Sequence, residues 1–337
     1  MNAKVRGTLC GIVAAACYGT NPLGALPLYA EGVNACSVLF YRFSLAVLLL
    51  AVIMAVQRKS FAVTRRELAM LAGLGVTFSS SSLSLFFSFY FMSAGIASTI
   101  LFVYPVMVAV IMAVFFKERV TASTVLSILL ALAGIALLYK GDDGTALSTI
   151  GVVLVFISSL TYALYIIIVN KSPLRMSALK LTFYVLIFAA LTVGVMSLTA
   201  PANHLQLLTT PTQWGFAVML AVLPTVMSLL LMVVAVHDVG STPTAIMGAL
   251  EPVTAMIISV ALFGEVFTAR IGLGIVLVLI AVTLIVVGKN IHFNSLTRVV
   301  SPVGRVLVKL WRWKSLAVAL EVISCGAGSH KLWRWKS

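Results

Sequence analysis

Glu251 and Arg42 are ionisable side chains that lie well inside long apolar stretches of this chain. A charged side chain in hydrocarbon costs about 3 kcal/mol or more, so it is retained mainly where it binds a ligand, carries a proton or pairs with another charge. Glu251 lies about 13 Å deep at a rise of ~1.5 Å per residue, which is close to the middle of a bilayer. It is a candidate proton carrier or ligand for a substrate amine, and a packed structural role beside Pro252 is an equal alternative.

Arg42 lies about 9 Å from the outer end of its apolar stretch by the same measure. Its long side chain can snorkel outward, pair with Glu31 or Glu251, or bind a carboxylate through two parallel hydrogen bonds. The residue types and their spacing leave these alternatives open.

A further set of side chains combines aromatic rings with hydroxyl or amide groups. Tyr18 and Asn21 are one helical turn apart, as are Tyr162 and Tyr165. Small-molecule sites have mainly apolar and aromatic walls with a few polar groups, so we predict that the set lines a substrate pocket. For each member taken alone, plain packing is the alternative. The set comprises Tyr18, Asn21, Ser82, Phe86, Tyr104, Tyr162 and Tyr165.

Prolines lie within or near the ends of several apolar stretches, at Pro22, Pro105, Pro224 and Pro252. Proline removes a backbone hydrogen bond and bends a helix. Because alternating access needs elements that bend or rock, Pro105 and Pro252 are predicted hinges. A static kink is the alternative at each position.

The elements that must position these residues are membrane-spanning helices. Of 337 residues, 61% are hydrophobic and 9% are charged, and the mean hydropathy is +1.14. A soluble domain is typically about 45–50% apolar and about 25% charged, so an ordinary soluble enzyme is excluded. A span needs about 20 apolar residues. The chain has ten such stretches, at roughly 7–28, 36–56, 68–91, 95–116, 122–139, 149–169, 180–199, 213–235, 242–263 and 270–288.

The net charge of +14 indicates orientation rather than nucleic-acid binding, because the basic residues lie between the apolar stretches. If the N-terminus is cytoplasmic, the outer loops hold only Lys140 and Arg270, and the remaining basic residues of the loops lie inside. The sequence therefore predicts a multi-pass protein of the plasma (inner) membrane with both termini in the cytoplasm.

An internal repeat divides the chain into two halves. At a shift of 147 residues, LFVYPVMVAVIMAVFFKERVT (101–121) lies over GALEPVTAMIISVALFGEVFT (248–268), so that Pro105 matches Pro252 and Glu118 matches Glu265. Both glutamates end a span and are predicted to cap a helix or brace a loop. Five spans are an odd number, so the second copy enters the membrane in the opposite orientation. Inverted repeats of this kind are typical of transporters.

The sequence resembles the drug/metabolite transporter superfamily, and specifically its EamA-type permeases with ten helices. The resemblance is carried by ACYGTNPL, by FYRFSLA, and by SAGIASTILFVYPVMVAVIMAVFFKERVT with its second copy VGSTPTAIMGALEPVTAMIISVALFGEVFT. It implies an all-α integral membrane protein of two inverted five-helix EamA-like repeats, with a cavity lined mainly by spans 1, 3, 4, 6, 8 and 9. It also implies a structural or gating role for Arg42. The domains expected are residues 1–140, 148–289 and a tail at 290–337.

We therefore expect a secondary transporter that exports small metabolites such as amino acids, with proton coupling as a further option. Relatives that transport aromatic amino acids are the most similar by resemblance. The alternatives are a multidrug or nucleoside-type permease, a facilitative uniporter, or a membrane scaffold or lipid-handling protein without transport. The sequence carries no nucleotide-binding, metalloprotease or nucleophile-elbow motif, so no enzyme, metal or cofactor is predicted. The chain is expected to act as a monomer or homodimer.

The C-terminal tail differs in composition from the rest of the chain. KLWRWKS occurs at 309–315 and again at 331–337. Tryptophan interleaved with basic residues suits the headgroup layer of an anionic membrane surface, so we predict contact with anionic lipid headgroups and an interfacial helix near 296–320.

Overall fold

The computed structural model describes residues 3–116, 120–139, 147–172, 174, 176–199 and 201–288, and these ranges contain helices and connecting turns but no strand. The predicted tail lies outside them, as does Glu118. The helices are α1 (Ala3–Tyr18), α2 (Asn21–Ala30), α3 (Ala35–Val56), α4 (Arg65–Ser88), α5 (Ala94–Leu101), α6 (Tyr104–Phe115), α7 (Ala122–Tyr139), α8 (Thr149–Lys171), α9 (Ala178–Met196), α10 (Pro211–Ala221), α11 (Ser228–Val239), α12 (Ser241–Met247), α13 (Leu250–Phe263) and α14 (Ala269–Gly288).

The prediction of ten spans agrees with these helices. Within the described residues, nine helical stretches are long and apolar enough to cross a membrane, and the shorter apolar helix Ala122–Leu138 takes the place of the fifth span. Four of the stretches join more than one helix: α1 with α2, α5 with α6, α10 with α11, and α12 with α13. The chain is a multi-pass, all-α membrane protein.

Spans 1, 4 and 9 are each broken near the middle. The breaks fall at Gly19–Thr20, at Phe102–Val103 and at Gly248–Ala249. The last two lie within one residue of each other under the 147-residue repeat, and a proline follows each one. Pro105 is the second residue of α6, and Pro252 is the third residue of α13.

Pro105 and Pro252 therefore do not lie inside continuous helices, and their hinge role stays a prediction. Both lie in the first turn of the second half-helix, where the missing N–H has no intrahelical partner to lose. Each proline thus helps to start a new helix on the far side of a break. Span 6, which is equivalent to span 1 in the repeat, stays continuous as α8.

Helices from the two repeats pack against each other along both halves of the membrane. We call the membrane face at which the chain begins the N-terminal face. On the half near it, α1 packs against α11, and on the other half α5 packs against α13. Helices α4, α8 and α9 form a contiguous group, and α7 pairs with α14 at one side.

Polar side chains fix the starts of several helices. The Thr64 hydroxyl accepts from the N–H of Glu67, whose carboxylate in turn accepts from the Thr64 N–H, which is a complete capping box at the start of α4. Thr210 and Gln213 form the same arrangement at α10. Glu265 accepts hydrogen bonds from the hydroxyl of Ser93 and, at 3.0 Å, from the N–H of Ala94. The predicted capping role of Glu265 therefore holds, and it links the two repeats.

Candidate functional site

A cavity of about 160 Å³ lies where both repeats meet near the middle of the membrane helices. Its wall combines hydroxyl groups and one guanidinium with aromatic and aliphatic side chains, which is the character of a site for a small amphipathic solute. The lining residues are Tyr18, Arg42, Phe78, Tyr162, Tyr165, Thr182, Val185, Leu186, Pro224, Thr225, Ser228, Leu229 and Met232.

These residues belong to spans 1, 2, 3, 6, 7 and 8, which differs from the set that the family resemblance implied. Residues of spans 4 and 9 lie next to the wall residues but do not line the cavity themselves. The ring of Tyr104 on span 4 packs edge-on against Tyr162, with 4.7 Å between ring centroids.

Arg42 is the charged group of this wall. It is 3% exposed, and its Nε donates a 2.9 Å hydrogen bond to Oγ1 of Thr225. The rings of Phe43 and Phe86 lie 5.8 and 5.6 Å from its Cζ, within the range of cation–π attraction. Across the described part of the chain no carboxylate oxygen lies within 4.0 Å of its guanidinium. The guanidinium is held by neutral groups.

The ion pairs considered for Arg42 are thus not formed in this structure. Glu31 instead accepts a 3.2 Å hydrogen bond from the hydroxyl of Thr210. Glu251 lies within electrostatic range of Arg42 without direct contact.

The acceptor for Arg42 is created by an irregularity in span 8. Residues Val222–Met227 form a π-helical segment between α10 and α11. Pro224 has no N–H to donate to Leu220 O, and the Thr225 hydroxyl donates to that carbonyl at 2.9 Å. Thr225 is therefore held with its oxygen ready to accept from Arg42. Sequence analysis named Pro224 but missed Thr225, for which a hydroxyl next to a proline in mid-span was the available signal.

Three tyrosines line the same cavity. Tyr18 is the last residue of α1, and Tyr162 and Tyr165 lie on α8 with stacked rings 5.9 Å apart. Phe78 of α4 contacts both tyrosines of α8. The predicted grouping of Tyr18, Tyr162 and Tyr165 in one cavity wall agrees with this arrangement.

Glu251 lies in the first turn of α13, next to the break in span 1. A Cβ atom added to Gly19 would lie 2.6 Å from Glu251 O and 2.7 Å from Cβ of Thr254, so only glycine allows this approach. Glu251 is within electrostatic range of Tyr18 and Tyr104. Its carboxyl is thus beside the cavity wall but is not among the lining groups.

The remaining predicted pocket residues do not line this cavity. Asn21 is 5% exposed, and its Nδ2 donates to Tyr18 O at 2.8 Å across the break in span 1, so the two residues do not share one continuous helix as expected. Asn21 Oδ1 is buried without a hydrogen-bond partner. Phe86 packs beneath Arg42, and Ser82 lies on α4 outside the wall.

Polar contacts tie the two repeats together at both faces. At the N-terminal face, Arg6 forms two hydrogen bonds to Asp238, of 2.7 and 3.0 Å, and the Asp238 side chain is 2% exposed. His237 and Asp238 both belong to the last turn of α11, which packs against α1. At the opposite face, the N–H of Asn34 donates to Oε1 of Gln206 at 2.6 Å.

Other features of the described residues do not compete with this site. A larger groove of about 500 Å³ between α6, α7 and α8 is lined only by aliphatic, methionine and phenylalanine side chains, which offer nothing to orient a polar solute. No group of three or more His, Cys, Asp or Glu residues in the described ranges could hold a metal ion. Cys10, Cys17 and Cys36 are free thiols.

Two repeats with broken helices around a central cavity are typical of secondary transporters. The profile of the EamA-like transporter family matches residues 5–140 and 149–287. The chain belongs to this family, whose members are transporters. No curated protein matches the sequence significantly. A solved crystal structure with 16% sequence identity, covering 83% of this chain and 96% of its own, superposes with a TM-score of 0.61, which is a likeness of fold alone.

Proposed function

We propose that this protein moves small metabolites, with neutral amino acids as the substrate class, across the plasma (inner) membrane by alternating access. The observation that carries the proposal is the cavity of about 160 Å³, which both repeats line and in which a buried cation stands among tyrosines and hydroxyls. Sites for drug-sized ligands usually enclose about 300–1,000 Å³, so the size favours a small solute over the multidrug alternative.

Export is the direction we propose, with both termini in the cytoplasm. The distribution of basic residues supports this orientation, because the loops on the proposed outer side hold only Lys140 and Arg270. Facilitated diffusion of the same substrates is the alternative for the energetics, and a nucleoside-type permease is the alternative for the substrate.

The test is counterflow in proteoliposomes that contain the purified protein. Vesicles loaded with unlabelled leucine should accumulate radiolabelled leucine transiently, whereas protein-free vesicles should not. Unlabelled amino acids, nucleosides and cationic drugs are then compared as competitors. Competition by nucleosides or drugs but by no amino acid would contradict the proposed substrate class.

A matched pair of variants links the flux to the cavity. Leu229 lines the cavity, whereas Leu129 is 59% exposed on the outside of α7. Leu229→Trp should abolish counterflow because the added ring fills the cavity, and Leu129→Trp should leave it unchanged. Equal activity of the two variants would place the transport path elsewhere.

A further inference from the structure

The structure assigns Arg42 and Thr225 to the binding of a substrate carboxylate. This inference rests on the proposed function and deepens it, because it commits to a substrate that carries an α-carboxylate. A buried guanidinium, oriented by a neutral acceptor, faces a small cavity and contacts no carboxylate of the described residues.

Among the described residues, no carboxylate contacts the buried charge of Arg42. An arginine in the middle of a membrane protein is costly unless a partner compensates it. Thr225 supplies a neutral oxygen, and Phe43 and Phe86 supply ring faces. Within the described ranges no carboxylate oxygen lies within 4.0 Å of the guanidinium, and Glu251 acts on it only from a longer distance, so the guanidinium is left without a contacting anion.

Thr225 orients the guanidinium of Arg42. Thr225 Oγ1 engages only Nε, on one edge of the guanidinium. A guanidinium binds a carboxylate best through two parallel N–H groups, and the amino groups on its other edges remain for this contact. The Tyr18 hydroxyl lies within electrostatic range of the guanidinium and can donate to the same anion. The π-helical segment that presents Thr225 is therefore part of the binding site.

The cavity wall also has an apolar part that suits the side chain of an amino acid. Part of the wall is apolar, with Phe78, Leu186 and Met232. Such a wall accepts an apolar side chain attached to the carboxylate-bearing carbon. Glu251 is within electrostatic range of the same guanidinium and has no direct contact with it, which leaves it available to an ammonium group.

The experiment compares leucine with two analogues that each lack one charged group: 3-methylbutylamine, without the carboxylate, and 4-methylpentanoate, without the ammonium. Affinities are measured as inhibition of leucine counterflow. Arg42→Gln should weaken leucine binding by about 10- to 100-fold, the usual loss for a hydrogen bond to a charged group, and change 3-methylbutylamine binding little. Arg270→Gln is the matched control, because Arg270 donates to Leu137 O away from the cavity.

Two further variants keep the test decisive if Arg42→Gln does not fold. Thr225→Val removes the acceptor that orients Nε. It should weaken the binding of leucine several-fold and leave the binding of 3-methylbutylamine unchanged. Arg42→Lys keeps the charge without the planar guanidinium. Its affinity for leucine should lie between those of the wild type and Arg42→Gln. An equal loss for leucine and 3-methylbutylamine, or no loss for either, would overturn the carboxylate site.

The outcomes separate this inference from the proposed function. If the wild-type protein transports no amino acid, the proposed function fails and the inference fails with it. If the wild type transports leucine but the Arg42 variants still prefer leucine over 3-methylbutylamine, only the inference fails. Inhibition by chloride, measured against gluconate, without inhibition by 4-methylpentanoate would indicate a halide site and would also overturn it.

Discussion

Glu251 differs from Arg42 in that no hydrogen bond or ion pair of its carboxyl is formed with the described residues. It lies in the first turn of α13, where the helix dipole favours a negative charge, yet it is surrounded by spans 1 and 4. A carboxyl in this position can exist with or without its proton as the surroundings change. We therefore propose it as the carrier of a coupling proton.

Replacing Glu251 with Gln tests this role, because an amide of nearly the same shape cannot titrate. Leucine flux in the wild type should differ between pH 6 and pH 8, and Glu251→Gln should remove most of that difference. The measurement is counterflow and proton-driven uptake at both pH values. Glu67→Gln, outside the cavity in the capping box of α4, is the control. A variant that keeps the wild-type pH dependence would exclude the proton role and leave transport standing.

At the scale of the elements, Gly19 shows why the break in span 1 is placed where it is. Any side chain there would meet Glu251 O at 2.6 Å and Thr254 Cβ at 2.7 Å, both of which are held by α13. At this point the two broken spans can come so close only because residue 19 is a glycine. Gly11 and Gly7 similarly lie against Met247 and Asp238, so the whole inner face of α1 is made for close packing.

Gly19→Ala should therefore lower the free energy of unfolding by about 1–3 kcal/mol, the usual cost of overpacking a close contact. Gly73→Ala in α4 is the matched control, because nothing lies within 4 Å of its added Cβ. It should stabilise the protein slightly, since alanine is the better helix former by about 1 kcal/mol. Thermal unfolding of both variants in detergent checks this. Equal shifts in the two variants would contradict the close contact.

The positions of the spans could be predicted from the sequence, because the length and apolar character of a membrane helix are local properties. The prolines indicated spans 4 and 9 as irregular, although not that each one starts a half-helix. The contact between Arg42 and Thr225 could not be predicted, since it joins residues 183 positions apart and depends on a π-helical segment. Pro224 indicates an irregular helix at this point but not that the segment is π-helical.

At the scale of the whole molecule, polar links between the repeats lie at both faces, with the cavity between them. Alternating access requires that the links at one face break while those at the other persist. The Arg6–Asp238 pair joins α1 to α11 at the N-terminal face, and hydrogen bonds such as Asn34 to Gln206 join the repeats at the opposite face. We propose that the ion pair stabilises the state closed at the N-terminal face.

Asp238→Asn should shift the protein towards opening at the N-terminal face. The substitution removes the negative charge of the pair, so Arg6 no longer holds α1 against α11 by an ion pair. The measurement is the distance between spin labels at Val5 and Val236, which are 51% and 43% exposed on α1 and α11, in a chain without its native cysteines. The wild type should give one short distance, and the variant should populate a longer one. Arg66→Gln, an exposed cation of α4 at the same face, is the control. Identical distance distributions in the wild type and Asp238→Asn would show that the ion pair does not control this face.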